Sequence, residues 1–123
     1  MTEITIVNLR NCPGFGSLKG DIRIDRMTSL GNPFPIGSCT ENGVGKVYSR
    51  KSCIDRYEKY VSYAEQVDVS GKKYDGMKVR QAIKKIREEI REHPEMNYRL
   101  GCWCSPLRCH GEILKNRILD GCV

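Results

Sequence analysis

The sequence predicts a small Rossmann-like three-layer α/β domain with a mainly parallel sheet, and three observations carry that expectation. Stretches of period-two apolar alternation are interspersed with stretches of helical period. The last third of the chain reads strand, turn, helix, the unit from which parallel sheets are assembled. The length, 123 residues, suits a single domain over residues 1–123, large enough for a real core.

Each element has its own grounds. Glu3 to Arg10 carries Ile4 and Ile6 on one face and Val7 and Leu9 on the other. A strand apolar on both faces belongs at the centre of a sheet. The turn-rich run from Asn11 to Gly16 ends it. A second strand is expected over Asp21–Arg26, with Ile22 and Ile24 on one side. Between Met27 and about Val47 neither period is found, and Gly31, Asn32, Pro33, Pro35, Gly37, Asn42, Gly43 and Gly45 mark a long loop. Loops of that length are commonly functional or mobile.

Helical spacing then runs through Ile54, Tyr57, Val61 and Ala64 to about Val67, opened by Ser52 and Asp55 as a variant capping box. Asp75 is the N-cap expected for a longer helix with the stripe Val79, Ile83, Ile86 and Ile90. Its other face bears Lys84, Lys85, Arg87, Glu88, Arg91 and Glu92, the mixed charge of a solvated surface. Pro94 stops this helix near His93. A strand follows from Tyr98 to Cys104, then a turn over residues 105–108. A final helix is expected from about Cys109 to Leu119, with Gly121 as its stop.

Composition narrows the function classes. With 39% hydrophobic and 29% charged residues the chain is ordinary globular material. No stretch approaches the roughly 18 apolar residues of a membrane span. Met1-Thr2-Glu3 leads directly into a strand without the basic and apolar regions of a secretory signal. A cytoplasmic setting is therefore expected, where the seven cysteines stay reduced. The net charge of +6 suits an anionic partner, and nucleic acid is the weaker candidate among such partners.

The chemistry concentrates in Cys102-Trp103-Cys104-Ser105-Pro106-Leu107-Arg108-Cys109-His110. Strand alternation puts Cys102 and Cys104 on one face and Trp103 on the other, with Cys109 and His110 opening the last helix. Three readings fit. Cys102, Cys104, Cys109 and His110 form a Cys₃His set for zinc, though the adjacent Cys-His pair is unusually compact. Alternatively, Cys109 at a helix N-terminus has a lowered thiol pKa and acts with His110 and Cys104 in catalysis. In the third reading the cysteines are small core residues and His110 caps the helix. The residues do not decide among these, nor whether the protein is an enzyme.

Common phosphate and nucleophile motifs are absent. Gly43-Val44-Gly45-Lys46 lacks the hydroxyl residue of a P-loop, and Gly14, Gly16 and Gly20 miss the dinucleotide spacing. There is no nucleophile elbow and no zinc-deaminase signature. An anion would nonetheless suit the N-terminus of the last helix beside Arg108, with Arg10 and Arg26 at the ends of the first two strands.

Two blocks carry a resemblance. Leu100 to Leu114, with its Gly-Cys-Trp-Cys and Cys-His-Gly elements, and Ile24 to Gly37, with Arg26 followed by Gly31-Asn32-Pro33-Phe34, resemble the domain of unknown function 4326 of bacteria and phages. The tyrosine-bearing helix near Tyr57 sits where that family has one. The resemblance implies a bacterial or phage setting and carries over Arg26, Gly31, Asn32, Cys102, Cys104, Cys109 and His110 as motif positions. The loop after Gly37, with Cys39, departs from the pattern.

Together these readings place a site at the C-terminal ends of the first and last strands, both taken as central. Its walls are the Gly31–Gly37 loop and the Cys102–His110 corner. The expected ligand is a small anion, a nucleotide or other phosphorylated metabolite. Cys109 and His110 would hold or activate it, and Arg26 and Asn32 would orient it. A zinc-stabilised interaction module and a basic nucleic-acid accessory protein are the alternatives.

Overall fold

A parallel three-stranded sheet and an antiparallel four-stranded sheet share the chain with three α-helices. The computed structural model describes residues 2–104, 107 and 109–120. In order, the elements are β1 (Ile4–Asn8), β2 (Asp21–Arg23), β3 (Gly37–Glu41), β4 (Val44–Tyr48), α1 (Arg50–Ser62), β5 (Gln66–Val69), β6 (Lys72–Asp75), α2 (Gly76–Glu92), β7 (Tyr98–Cys102) and α3 (Gly111–Asp120).

The fold is α/β, but the expected single, mainly parallel sheet is corrected to two. The parallel sheet has the order β1-β7-β2 and the antiparallel sheet the order β4-β3-β5-β6. The last strand is central, as expected; the first lies at an edge. In β7, Tyr98, Leu100 and Cys102 are all buried, and Leu100 pairs with Ile6 on one side and Ile22 on the other. The second strand is shorter than its Asp21–Arg26 pattern. After Arg23 the chain turns away, and Ile24 N–H still reaches the Gly101 carbonyl at 2.9 Å.

The long loop expected from Met27 to Val47 is half sheet. Asn42 (φ 51°) and Gly43 (φ 82°) both adopt the left-handed region. That geometry belongs to the two-residue turn matching the twist of a hairpin, which joins β3 to β4. Ser70 and Gly71, with φ of 51° and 86°, repeat the device between β5 and β6. The first helix correspondingly starts and stops earlier than its apolar spacing suggests. Its capping box is Ser49 with Ser52, not Ser52 with Asp55. At its end, Glu65 N–H bonds the Tyr60 carbonyl and Ala64 N–H bonds that of Val61, with Ala64 at φ 49°. This is a Schellman stop with alanine where glycine is usual. Val67 therefore lies in β5.

The second helix begins at the expected cap, Asp75, whose carboxylate accepts from Met77 N–H. It buries Val79, Ile83 and Ile86. Arg87, expected on the solvated face, instead donates to the carbonyls of Arg117 and Ile118 at the end of α3. These are helix-end carbonyls without helical partners, so a cation there satisfies them. One hydrophobic cluster links Ile4, Leu100, Tyr57, Ile83 and Leu114. Among the described residues no helix is long and apolar enough to cross a membrane.

Candidate pocket at the ends of the parallel strands

The remaining part of the long loop, before β3, is packed. Phe34 is 1% exposed and meets Tyr60 edge to face at 5.7 Å between ring centres. The Arg56 guanidinium lies over that ring, 4.5 Å from its centre. Asn32 is buried and folds the loop. Its side-chain oxygen accepts from Phe34 N–H (2.9 Å), and its amide donates to Cys53 Sγ (3.2 Å). Cys53 in turn donates to the Phe34 carbonyl at 2.9 Å, so α1 and the loop are clasped together. Gly31 is required by a close approach, because a Cβ there would lie 2.4 Å from the Asp25 carbonyl oxygen.

This loop forms one wall of a pocket of about 520 Å³, and Cys102, Trp103, Cys104, Cys109 and His110 form the opposite one. The pocket lies where β7 and β2 end, the position in which open α/β sheets hold ligands. Its lining is predominantly apolar. Arg26, Asn32, Cys102, Cys104, Cys109 and His110 all contribute to it, so six of the sequence-selected residues converge. Gly31 is buried against the backbone of Asp25 and Arg26 and is not part of the lining. Arg10 is exposed in a short turn after β1 (Leu9–Asn11) and lies outside the lining. Arg108, with Ser105 and Pro106, falls outside the described residues.

Sequence reasoning missed Arg23, Asp25, Arg50, Cys53 and Trp103, which also line the pocket. Trp103 was expected on the face opposite Cys102, but β7 ends at Cys102 and alternation lapses there. The indole N–H instead donates to Asp25 Oδ2 at 2.9 Å. Asp25 also accepts from Arg23 Nε and Nη2 and from Met27 N–H. Burial disfavours the Asp25 carboxylate, but hydrogen bonds from Arg23 and Trp103 outweigh it and hold its pKa below the usual value. Such a saturated carboxylate acts as an anchor, not a base.

The three chemical candidates in the corner take defined roles. His110 is 8% exposed, and its Nε2–H donates to the Ile24 carbonyl at 2.5 Å. Burial lowers its pKa to about 4 against the opposing pull of that hydrogen bond, so the ring is neutral at pH 7. It also packs edge-on to Tyr57, 4.8 Å between ring centres. Cys109 lies just before α3, which begins at Gly111 and not at Cys109 as expected, and its Sγ accepts from Gly111 N–H at 3.3 Å. The expected lowering of its pKa is reversed. Its hydrogen bond to Cys102 Sγ (3.5 Å), then burial, push the thiol well above the usual range, and the helix N–H pulls the other way without prevailing. Cys104 is only partly buried. The hydrogen bonds of the His110 ring go to the backbone of Ile24 and Leu30 and not to Cys109, so the pair is not arranged as a nucleophile and its base.

Among the described residues no group of three or more His, Cys, Asp or Glu side chains is arranged to hold a metal ion. His110 is directed to Ile24, and neighbouring residues at a helix start diverge.

Residues 7–120 match the family model described as Domain of unknown function (DUF4326). The chain belongs to this family. No curated protein and no solved structure matches it. The two pocket walls are the two blocks through which the sequence resembles the family.

Proposed function

We propose that this family member binds a small anionic ligand, a nucleotide or another phosphorylated metabolite, in the pocket at the ends of β7 and β2. The observation that carries the reading is the setting of Arg26. Its Nε donates to the Asn32 carbonyl at 3.0 Å, which fixes the guanidinium at the pocket. Its two terminal amino groups have no partner among the described residues and remain for a ligand. A planar, pre-positioned fork of this kind is the usual recognition element for phosphate and carboxylate.

Three guanidinium groups and one carboxylate line the pocket, so its field favours an anion. Its volume lies within the usual range for small-ligand sites. The parallel sheet supports the reading, because the pocket lies at the C-terminal ends of its strands. A protonated Cys109 thiol and a neutral His110 favour holding a ligand over nucleophilic attack on it.

A thermal-shift panel of nucleoside phosphates and sugar phosphates tests the proposal. Ligand at ten times its Kd stabilises by about 1.4 kcal/mol, a rise of roughly 5 °C. The rise is expected to vanish in Arg26→Ala. If no phosphorylated compound shifts the midpoint at millimolar concentration, the proposal fails.

A further inference from the structure

Trp103, the chain's only tryptophan, is 55% exposed although it lines an apolar pocket. Its single polar atom is already used, since Nε1–H is held by Asp25. What it presents is therefore ring carbon. Two further large apolar side chains of the same lining are exposed as well, Met27 at 76% and Ile36 at 54%. Exposed apolar groups scattered singly need no explanation, but three at one pocket mark a binding surface. The tryptophan is also held in place. The carboxylate that fixes its N–H is 9% exposed and is itself gripped by Arg23.

From this arrangement, and resting on the anion-binding reading above, we infer that the ligand carries a planar heteroaromatic ring that stacks on Trp103. The ligand class is then a nucleotide and not a phosphorylated sugar. The base lies against the indole, with Met27 and Ile36 at its margin, and the phosphate meets Arg26. An aromatic face immobilised before binding attracts a π-system at little ordering cost. Asp25 and Arg23 are positioning residues, acting on the ligand through Trp103.

Trp103 reports on its own occupancy. Its fluorescence is titrated with a purine nucleoside monophosphate, the matching nucleoside and ribose 5-phosphate, in wild type, Trp103→Leu and Asp25→Ala, with calorimetry for the variant that lacks the fluorophore. The monophosphate is expected to quench saturably, and ribose 5-phosphate to bind more weakly without quenching. Trp103→Leu, at an exposed position, keeps the fold and loses about ten-fold or more in monophosphate affinity, with sugar-phosphate affinity unchanged. In Asp25→Ala the fluorescence anisotropy of the free protein falls and monophosphate affinity falls with it. Equal affinity for monophosphate and ribose 5-phosphate, indifferent to Trp103→Leu, overturns the stacking inference and leaves the anion reading intact. Equal affinity for nucleoside and monophosphate does the reverse, and failure of all three to bind overturns both.

Discussion

Acid is expected to weaken this fold through one buried imidazole. His110 ordinarily titrates near 6.5, and in the folded chain burial brings this to about 4. Above pH 6.5 the ring is neutral in both folded and unfolded states, and its contribution to stability is complete. Between 6.5 and 4 the unfolded chain takes up a proton that the folded chain refuses, so stability falls as pH falls. Below about pH 4 both states carry the proton and the loss stops growing. At about 1.36 kcal/mol per pH unit, the whole interval is worth about 3 kcal/mol, a large share of the roughly 5–15 kcal/mol that holds a domain together. Urea denaturation at steps from pH 7 to 4 measures it, with His110→Gln as the comparison. Glutamine keeps an N–H for the Ile24 carbonyl but does not titrate. Carboxylates such as Asp25 and Glu41, whose pKa values are also lowered, weaken both proteins alike and cancel in the difference. Wild type is expected to lose about 3 kcal/mol more than the variant over this range. Parallel curves would refute the assignment of His110 as a buried neutral donor.

Three further outcomes are expected. Gly31→Ala places a methyl 2.4 Å from the Asp25 carbonyl oxygen, against backbone that cannot swing aside, and should cost about 2 kcal/mol or more in chemical denaturation; a loss under half of that would show that the loop yields. Ala64→Gly relieves a left-handed alanine at the end of α1 and is expected to raise stability by about 0.5–1 kcal/mol, read from the same curves, whereas a destabilised variant would count against the Schellman geometry. Elemental analysis of purified protein is expected to find no stoichiometric zinc, and a chelator to leave the melting temperature unchanged. One zinc per chain would favour Cys102, Cys104, Cys109 and His110 as its ligands.

What the sequence revealed followed local signals. The stripe Val79, Ile83 and Ile86 and the Asp75 cap specify α2 almost alone, because period and cap are both encoded within one segment. The central strand β7 was legible for the same reason. The antiparallel sheet was not, since β3 and β4 are largely exposed and carry no apolar alternation. The usable signal was the dipeptide Asn42-Gly43, which supplies two consecutive positive φ angles. Val67 kept helical spacing with Val61 and Ala64, and only the backbone reversal at Ala64 moves it into a strand. At the pocket, the motif blocks located both walls. Cys53 and Asp25 escaped notice because each is brought there by long-range packing, Cys53 through Asn32 and Asp25 through Trp103, 78 residues away. Arg10 was a candidate only if the end of β1 lies near the site; it sits instead in the exposed turn after β1 and does not line the pocket.

Calorimetric titration with a purine nucleoside monophosphate, in wild type and Arg26→Ala side by side, tests the anion-binding pocket most directly. Saturable one-to-one binding that weakens with salt and is lost in the variant is the predicted result. No saturable heat in wild type, or affinity untouched by removal of Arg26, would contradict it.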